Sequence, residues 1–228
     1  IQTLSYTTAV FLSAYLLFAV QPMIGKVLLP SLGGSPAIWN TTMLFFQILL
    51  LGGYLYAHFL TKLPSLRYQF ATHIGLMIVA GLSLPMSTTF FAPQTGESPI
   101  LWQLKTMAGM MSIPFLILSA TAPMLQRWFS FTSHASAKDP YFLYAASNTG
   151  SILALVLYPS LVELFIPLPA QSIFWGYGFW TLIFLIGGIC ILSLKKSMQE
   201  QSSPQTAQIT DNSKISPQQI GLWLILAF

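Results

Sequence analysis

FAVQPMIGKVLLPSLGGSPAIWNTTMLFFQ, from Phe18 to Gln47, decides how the rest of the chain is read. It holds the end of one apolar run, the pair Gln21-Pro22, Lys26, the turn Gly33-Gly34-Ser35-Pro36 and the start of a second apolar run. Pro22 has no N–H and crowds the carbonyl one turn back, so a helix passing through it kinks. Inside a bilayer the freed carbonyl needs another partner, so such breaks sit where neighbouring helices or a cavity supply one. Gln21 beside it is polar at a depth where polar groups are costly. Two readings are open: a helix that bends near its outer end while Lys26 snorkels to the interface, or a break that shapes a site.

Of 228 residues, 54% are hydrophobic and 6% charged, and the mean hydropathy is +0.69. A soluble domain carries about 25% charged residues, so this chain cannot cover a water-facing surface and reads as an all-α integral membrane protein. The net charge of +4 comes from cations placed singly between apolar segments, which excludes a nucleic-acid surface. Cys190 is the single cysteine, so no disulfide can form within the chain. No Cys/His cluster with metal-ligand spacing, glycine-rich nucleotide loop or nucleophile elbow occurs, so no metal, cofactor or catalytic residue is expected. None of the five acidic residues sits mid-span, which argues against a relay of buried carboxylates.

Six apolar segments have the roughly 20 residues that a membrane helix needs: 5–29, 37–60, 68–86, 100–123, 140–161 and 171–194. They form one transmembrane domain over 1–194. The first is not a cleaved signal peptide, since no basic residue precedes it and no small-x-small site follows. Residues 195–219, rich in Ser, Gln, Thr and Asn without aromatics, read as a flexible cytoplasmic linker. Residues 220–228, IGLWLILAF, read as the start of a seventh crossing, and the native chain is expected to continue beyond Phe228. Seven cations (Lys62, Arg67, Arg127, Lys138, Lys195, Lys196 and Lys214) fall on one side and two (Lys26 and Lys105) on the other. Basic loops stay cytoplasmic, so the N-terminus is expected inside.

Helices 1 and 4 share a pattern. Ala19-Val20-Gln21-Pro22-Met23-Ile24-Gly25-Lys26 and Ala120-Thr121-Ala122-Pro123-Met124-Leu125-Gln126-Arg127 both read Ala-x-x-Pro-Met-aliphatic-x-basic. Ser35-Pro36 with Asn40-Thr41 opens helix 2; Asp139-Pro140 with Asn148-Thr149 opens helix 5. A spacing of three helices inverts the copies, as in a three-plus-three inverted repeat. Polar residues gather in stripes. Asn40, Gln47, Tyr54 and His58 share one face of helix 2, and Tyr144, Ser147, Asn148, Ser151 and Tyr158 one face of helix 5. Helix 1 adds Ser13 and Gln21. Helices 3 and 6 look nearly bare and are expected to face lipid, with His73 and His58 at the interface near the Lys62–Arg67 loop. Gln21, Asn40, Gln47, Tyr144, Asn148 and Ser151 are therefore expected to converge on one polar cavity and bind a small polar solute. The competing reading is packing, in which such groups bond between helices at about 0.6 kcal/mol each.

At these residues the chain resembles the N-terminal half of a major facilitator superfamily transporter. More narrowly, Gln21–Gln47, LSATAPMLQRWF (Leu118–Phe129) and DPYFLYAASNTGS (Asp139–Ser151) are similar to the membrane part of bacterial fused facilitator/spermidine-synthase-like proteins. The resemblance covers most of residues 10–195. It implies a transporter-like domain of the bacterial inner membrane joined to a soluble aminopropyltransferase-like domain. The chain holds no such soluble domain, and the loop from His58 to Arg67 keeps basic residues without the acid of the usual facilitator loop. Three functions stay open: a transporter-like lobe for a small polar solute, the membrane module of a polyamine-synthase-like enzyme, or a structural subunit packed against partner membrane subunits.

Overall fold

Gly33 ends the first helix. Its φ of +73° lies in the left-handed region that glycine enters freely, and its N–H closes back on Leu29 O at 2.9 Å. Ser35 then turns extended (φ −66°, ψ 150°) and accepts the N–H of Ile38 at 3.4 Å. Pro36 takes the first helical position, where a missing N–H costs nothing. The Gly-Gly-Ser-Pro turn is thus a C-terminal glycine, an N-cap and an N1 proline in sequence.

The computed structural model describes residues 2–85, 98–132 and 134–201. Among them every regular element is helical: α1 (Gln2–Leu32), α2 (Pro36–Leu60), α3 (Leu66–Leu82), α4 (Pro99–Ser130), α5 (Tyr141–Leu157) and α6 (Leu168–Gln201). Pro159 removes the N–H that Leu155 O would accept in a regular helix. Just there α5 widens into a π-helical turn, Tyr158–Val162, and ends in one short turn, Glu163–Phe165. Among the described residues, five helices are long and apolar enough to cross a membrane: α1, α2, α4, the composite Tyr141–Phe165 and the Leu168–Leu194 part of α6. The sixth expected crossing, α3, has 17 residues and rises about 25 Å at 1.5 Å each, less than a hydrocarbon core of about 30 Å.

Ile1–Leu194 form one packed unit. In it α1 packs along α5 and α4, α2 along α4, and α3 on α4. Two of these contacts each need a glycine. A Cβ on Gly53 of α2 would strike Ser119 Oγ and, at 2.6 Å, Leu116 O on α4; one on Gly150 of α5 would strike Phe11 O on α1. Small residues let membrane helices approach to backbone distance. α6 lies against α1 and α3: Tyr6 OH is 3.5 Å from Ser193 Oγ, and Gly81 faces Trp180 and Ile183. Ile24, Phe115, Met124 and Phe129 are fully buried at the centre, while Phe184, Leu164 and Leu51 are 75, 69 and 66% exposed. So apolar an outside suits a hydrocarbon solvent.

Of the two readings of Pro22, the continuous helix holds, since α1 stays α-helical through both Pro22 and Pro30. One expectation changes. α6 continues to Gln201, so the first seven residues of the expected linker are helical. Lys, Met, Gln and Glu in KKSMQEQ are good helix formers. The expected seventh crossing lies outside the described residues.

Candidate functional site

The six residues expected to line a polar cavity lie mostly on the outside. Asn40 and Gln47 on α2, and Tyr144 and Asn148 on α5, are exposed. Gln21 and Ser151 are half-buried, and each bonds within its own helix: Gln21 Nε2 to Leu17 O at 3.4 Å and Ser151 Oγ to Ser147 O at 3.0 Å. No hydrogen bond among the described residues joins one of the six to another. They form two outward faces, Asn40 with Gln47 and Tyr144 with Asn148, each one or two turns long.

Two buried amides lie instead on the two helices that looked bare. Gln69 is the fourth residue of α3, and Gln171 the fourth of α6. Both are buried. Gln69 Nε2 donates to Thr61 O (3.4 Å) and Leu63 O (3.1 Å) in the preceding loop, and Gln69 Oε1 accepts the indole N–H of Trp128 at 3.1 Å. Gln171 Nε2 donates to Ile166 O (2.7 Å) and Val162 O (3.5 Å) in the connection before α6, and its Oε1 accepts the Tyr158 hydroxyl at 3.0 Å. Each amide ties the end of one helix to the start of the next and holds an aromatic side chain.

The parallel continues one turn on. His73 and Trp175 are the eighth residues of α3 and α6. Trp175 Nε1 donates to Leu16 O at 2.9 Å, six residues before Pro22. Thr121 Oγ1 gives its proton to Ile117 O at 2.9 Å, six residues before Pro123, so it accepts from His73 Nε2–H at 3.3 Å. His73 Nδ1 is then the acceptor for the Tyr56 hydroxyl at 3.2 Å. The sequence placed His73 at the interface; it is fully buried, stacked on Tyr56 with centroids 5.9 Å apart. Gln-x-x-x-His and Gln-x-x-x-Trp, three helices apart, were the available signal.

A cavity of 230 Å³ opens between α1, the π turn and the start of α6, walled among others by Tyr15, Ala19, Met23, Tyr158 and Trp175. None of the six expected residues lines it. Near it Lys26 Nζ meets Glu163 Oε1 at 2.9 Å, joining the ends of α1 and the composite helix. A second buried polar cluster joins α2 to α4: Gln103 Nε2 donates to Ile38 O (2.9 Å) and Thr42 Oγ1 (2.7 Å), while Gln103 Oε1 and Thr106 Oγ1 are buried with no partner among the described residues.

No known protein family, no curated protein and no solved structure matches this chain.

Proposed function

We propose that this chain is a six-helix lobe of a transporter-like protein of the bacterial inner membrane, built as a three-plus-three inverted repeat with its N-terminus in the cytoplasm. It handles a small polar solute along the outward faces of α2 and α5, which a further domain or partner membrane subunit completes.

The repeat is supported by exchange. Adding three to each helix number turns the α1–α5 pair into α4–α2, and these two pairs are both closely packed. The ties from Gln69 and Gln171 to the connection before each helix correspond under the same exchange, although their aromatic partners, Trp128 on α4 and Tyr158 on the π turn, do not. His73 and Trp175 each bond to the helix that carries the matched proline, α4 at Thr121 and α1 at Leu16. The orientation is supported by the ends. Tyr6 near the start of α1 meets Phe129 near the end of α4, with ring centroids 5.2 Å apart. That groups the N-terminus with Arg127, whereas Lys26 lies at the other end with Glu163. Basic residues favour the cytoplasmic side.

The solute reading is carried by the exposure of Asn40, Gln47 and Asn148. An amide facing hydrocarbon without a partner costs several kcal/mol, so these faces meet water, protein or solute. The test is labelling of single cysteines at positions 40, 47 and 148, in a Cys190→Ala background, by a water-soluble maleimide in intact membranes. Position 184, where Phe184 is 75% exposed, is the lipid-facing control. Labelling at all three and none at 184 is expected, with protection by the transported solute. Three positions as inert as 184 would end this reading.

A further inference from the structure

The cavity beside the π turn has a mainly apolar interior although four of its wall residues, Tyr15, Tyr158, Gln171 and Trp175, carry polar groups, three of them already bonded. The Tyr158 hydroxyl is held by Gln171 Oε1, the Gln171 amide by Ile166 O and Val162 O, and the Trp175 N–H by Leu16 O. Those groups point into the protein's own bonds. What faces the space are the rings of Tyr15, Tyr158, Phe174 and Trp175 and the aliphatic Leu16 and Met23.

The corresponding place on the other three helices is filled. Trp128, five residues after Pro123, lies edge-on to Phe70 (centroids 4.5 Å) and His73 (5.6 Å) and donates to Gln69. The residue five after Pro22 is Val27. Helical side chains lean toward the helix N-terminus. Position 128 therefore covers the turn of Met124, and position 27 covers the turn of Met23, which is cavity wall. Valine is too short to do what the indole of Trp128 does, and the space stays open.

We propose that this cavity binds an apolar aromatic molecule of about the size of an indole, drawn from the bilayer, in the place that Trp128 fills on the other copy. Apolar cavities of about 150 Å³ stay dry and take up benzene, so 230 Å³ accommodates a larger ring system. The aromatic walls offer edge-to-face and offset contacts to such a guest. With the Gln171, Tyr158 and Trp175 polar groups already bonded, a polar solute finds little there beyond the Tyr15 hydroxyl. The ligand's shape rests on the register of the repeat; the site does not depend on transport.

Radiolabelled indole is the probe, with the full chain in nanodiscs. Saturable binding is expected, weakened at least tenfold by Val27→Trp and by Ala19→Phe, each of which fills the space, with melting temperatures equal to or above wild type. A diazirine-bearing indole should crosslink wild type at Phe174 or Trp175, a readout that needs no variant to fold. Absence of saturable binding, crosslinks elsewhere, or a co-purified phospholipid released by both fillings would overturn the proposal, the last because the occupant is then an acyl chain. If Ala19→Phe removes binding and a well-folded Val27→Trp does not, the site stands and the register of the repeat falls.

Discussion

Trp175 donates its indole N–H to the main-chain carbonyl of Leu16 at 2.9 Å, and both residues are buried. The bond fixes the height of α6 against α1 one turn above the clamp made by Gln171. Trp175→Phe keeps much of the aromatic surface and removes the donor. Loss of a buried hydrogen bond costs about 1 kcal/mol, with more for the lost volume. Thermal unfolding of the purified protein should show a melting temperature about 2–6 °C lower, at about 2–4 °C per kcal/mol for a chain of this size.

Gln69→Leu and Gln171→Leu should each cost more than Trp175→Phe. Either substitution strands a buried aromatic donor, Trp128 N–H or Tyr158 O–H, together with carbonyls at a helix junction. A buried polar group left unpaired costs about 1–3 kcal/mol. Because each clamp holds two main-chain carbonyls and one aromatic donor, the two losses should agree within about 1 kcal/mol. A large loss at one and none at the other, in the same unfolding assay, would separate the copies.

The helices themselves were legible, because apolar length is a property of composition alone. The turn at Gly33 to Pro36 was legible too, since each residue there is nearly forced by its backbone chemistry. The clamps were not. Gln69 and Gln171 sit within one turn of a helix start, where a polar residue reads as an interfacial anchor, and burial there depends on the loop folding back over the amide. His73 was misplaced for the same reason: it lies near the Lys62–Arg67 loop in sequence, but Tyr56, Thr121 and Trp128 enclose it from two other helices. The polar stripe of α2 lies on one exposed face, whereas that of α5 divides: Tyr144 and Asn148 are exposed, but Tyr158, past the widened turn, is buried. Which way a stripe faces depends on packing partners, and α2 and α5 turn Gly53 and Gly150 inward instead.

Gly53→Ala should be far more damaging than its size suggests. The new methyl would meet the backbone oxygen of Leu116 at 2.6 Å, and a backbone atom cannot rotate away. Forced overpacking costs about 1–3 kcal/mol, although alanine is the better helix former by about 1 kcal/mol. Among the described residues Gly75 on α3 has no atom within 4 Å of an added Cβ, so Gly75→Ala should leave the melting temperature unchanged or raise it. Equal effects at the two positions would mean that α2 and α4 do not approach as described.

Lys26→Met should be mild. Its ion pair with Glu163 is short, 2.9 Å, but the two side chains are 32 and 41% exposed. Such pairs contribute about 0–1 kcal/mol and are screened by salt. The melting temperature should fall by no more than about 3 °C, and by less in high salt.

Asn148→Ala separates packing from solute handling, because the side chain lies on the exposed face of α5. Removing an amide that holds no other helix leaves the packing of α5 on α1 intact; that packing runs through Gly150, two residues further on and buried. The melting temperature of the lobe should therefore stay within about 1–2 °C of wild type, in the range of surface substitutions worth about 0.5 kcal/mol or less. Solute binding per folded molecule should fall at least tenfold, since the amide supplies both a donor and an acceptor on a face otherwise built from apolar side chains such as Ile152 and Leu155. A melting temperature lowered by 4 °C or more would mean that Asn148 is covered by another part of the protein and works in packing. Unchanged stability with unchanged solute binding would remove α5 from the site and leave Asn40 and Gln47 on α2 to carry it.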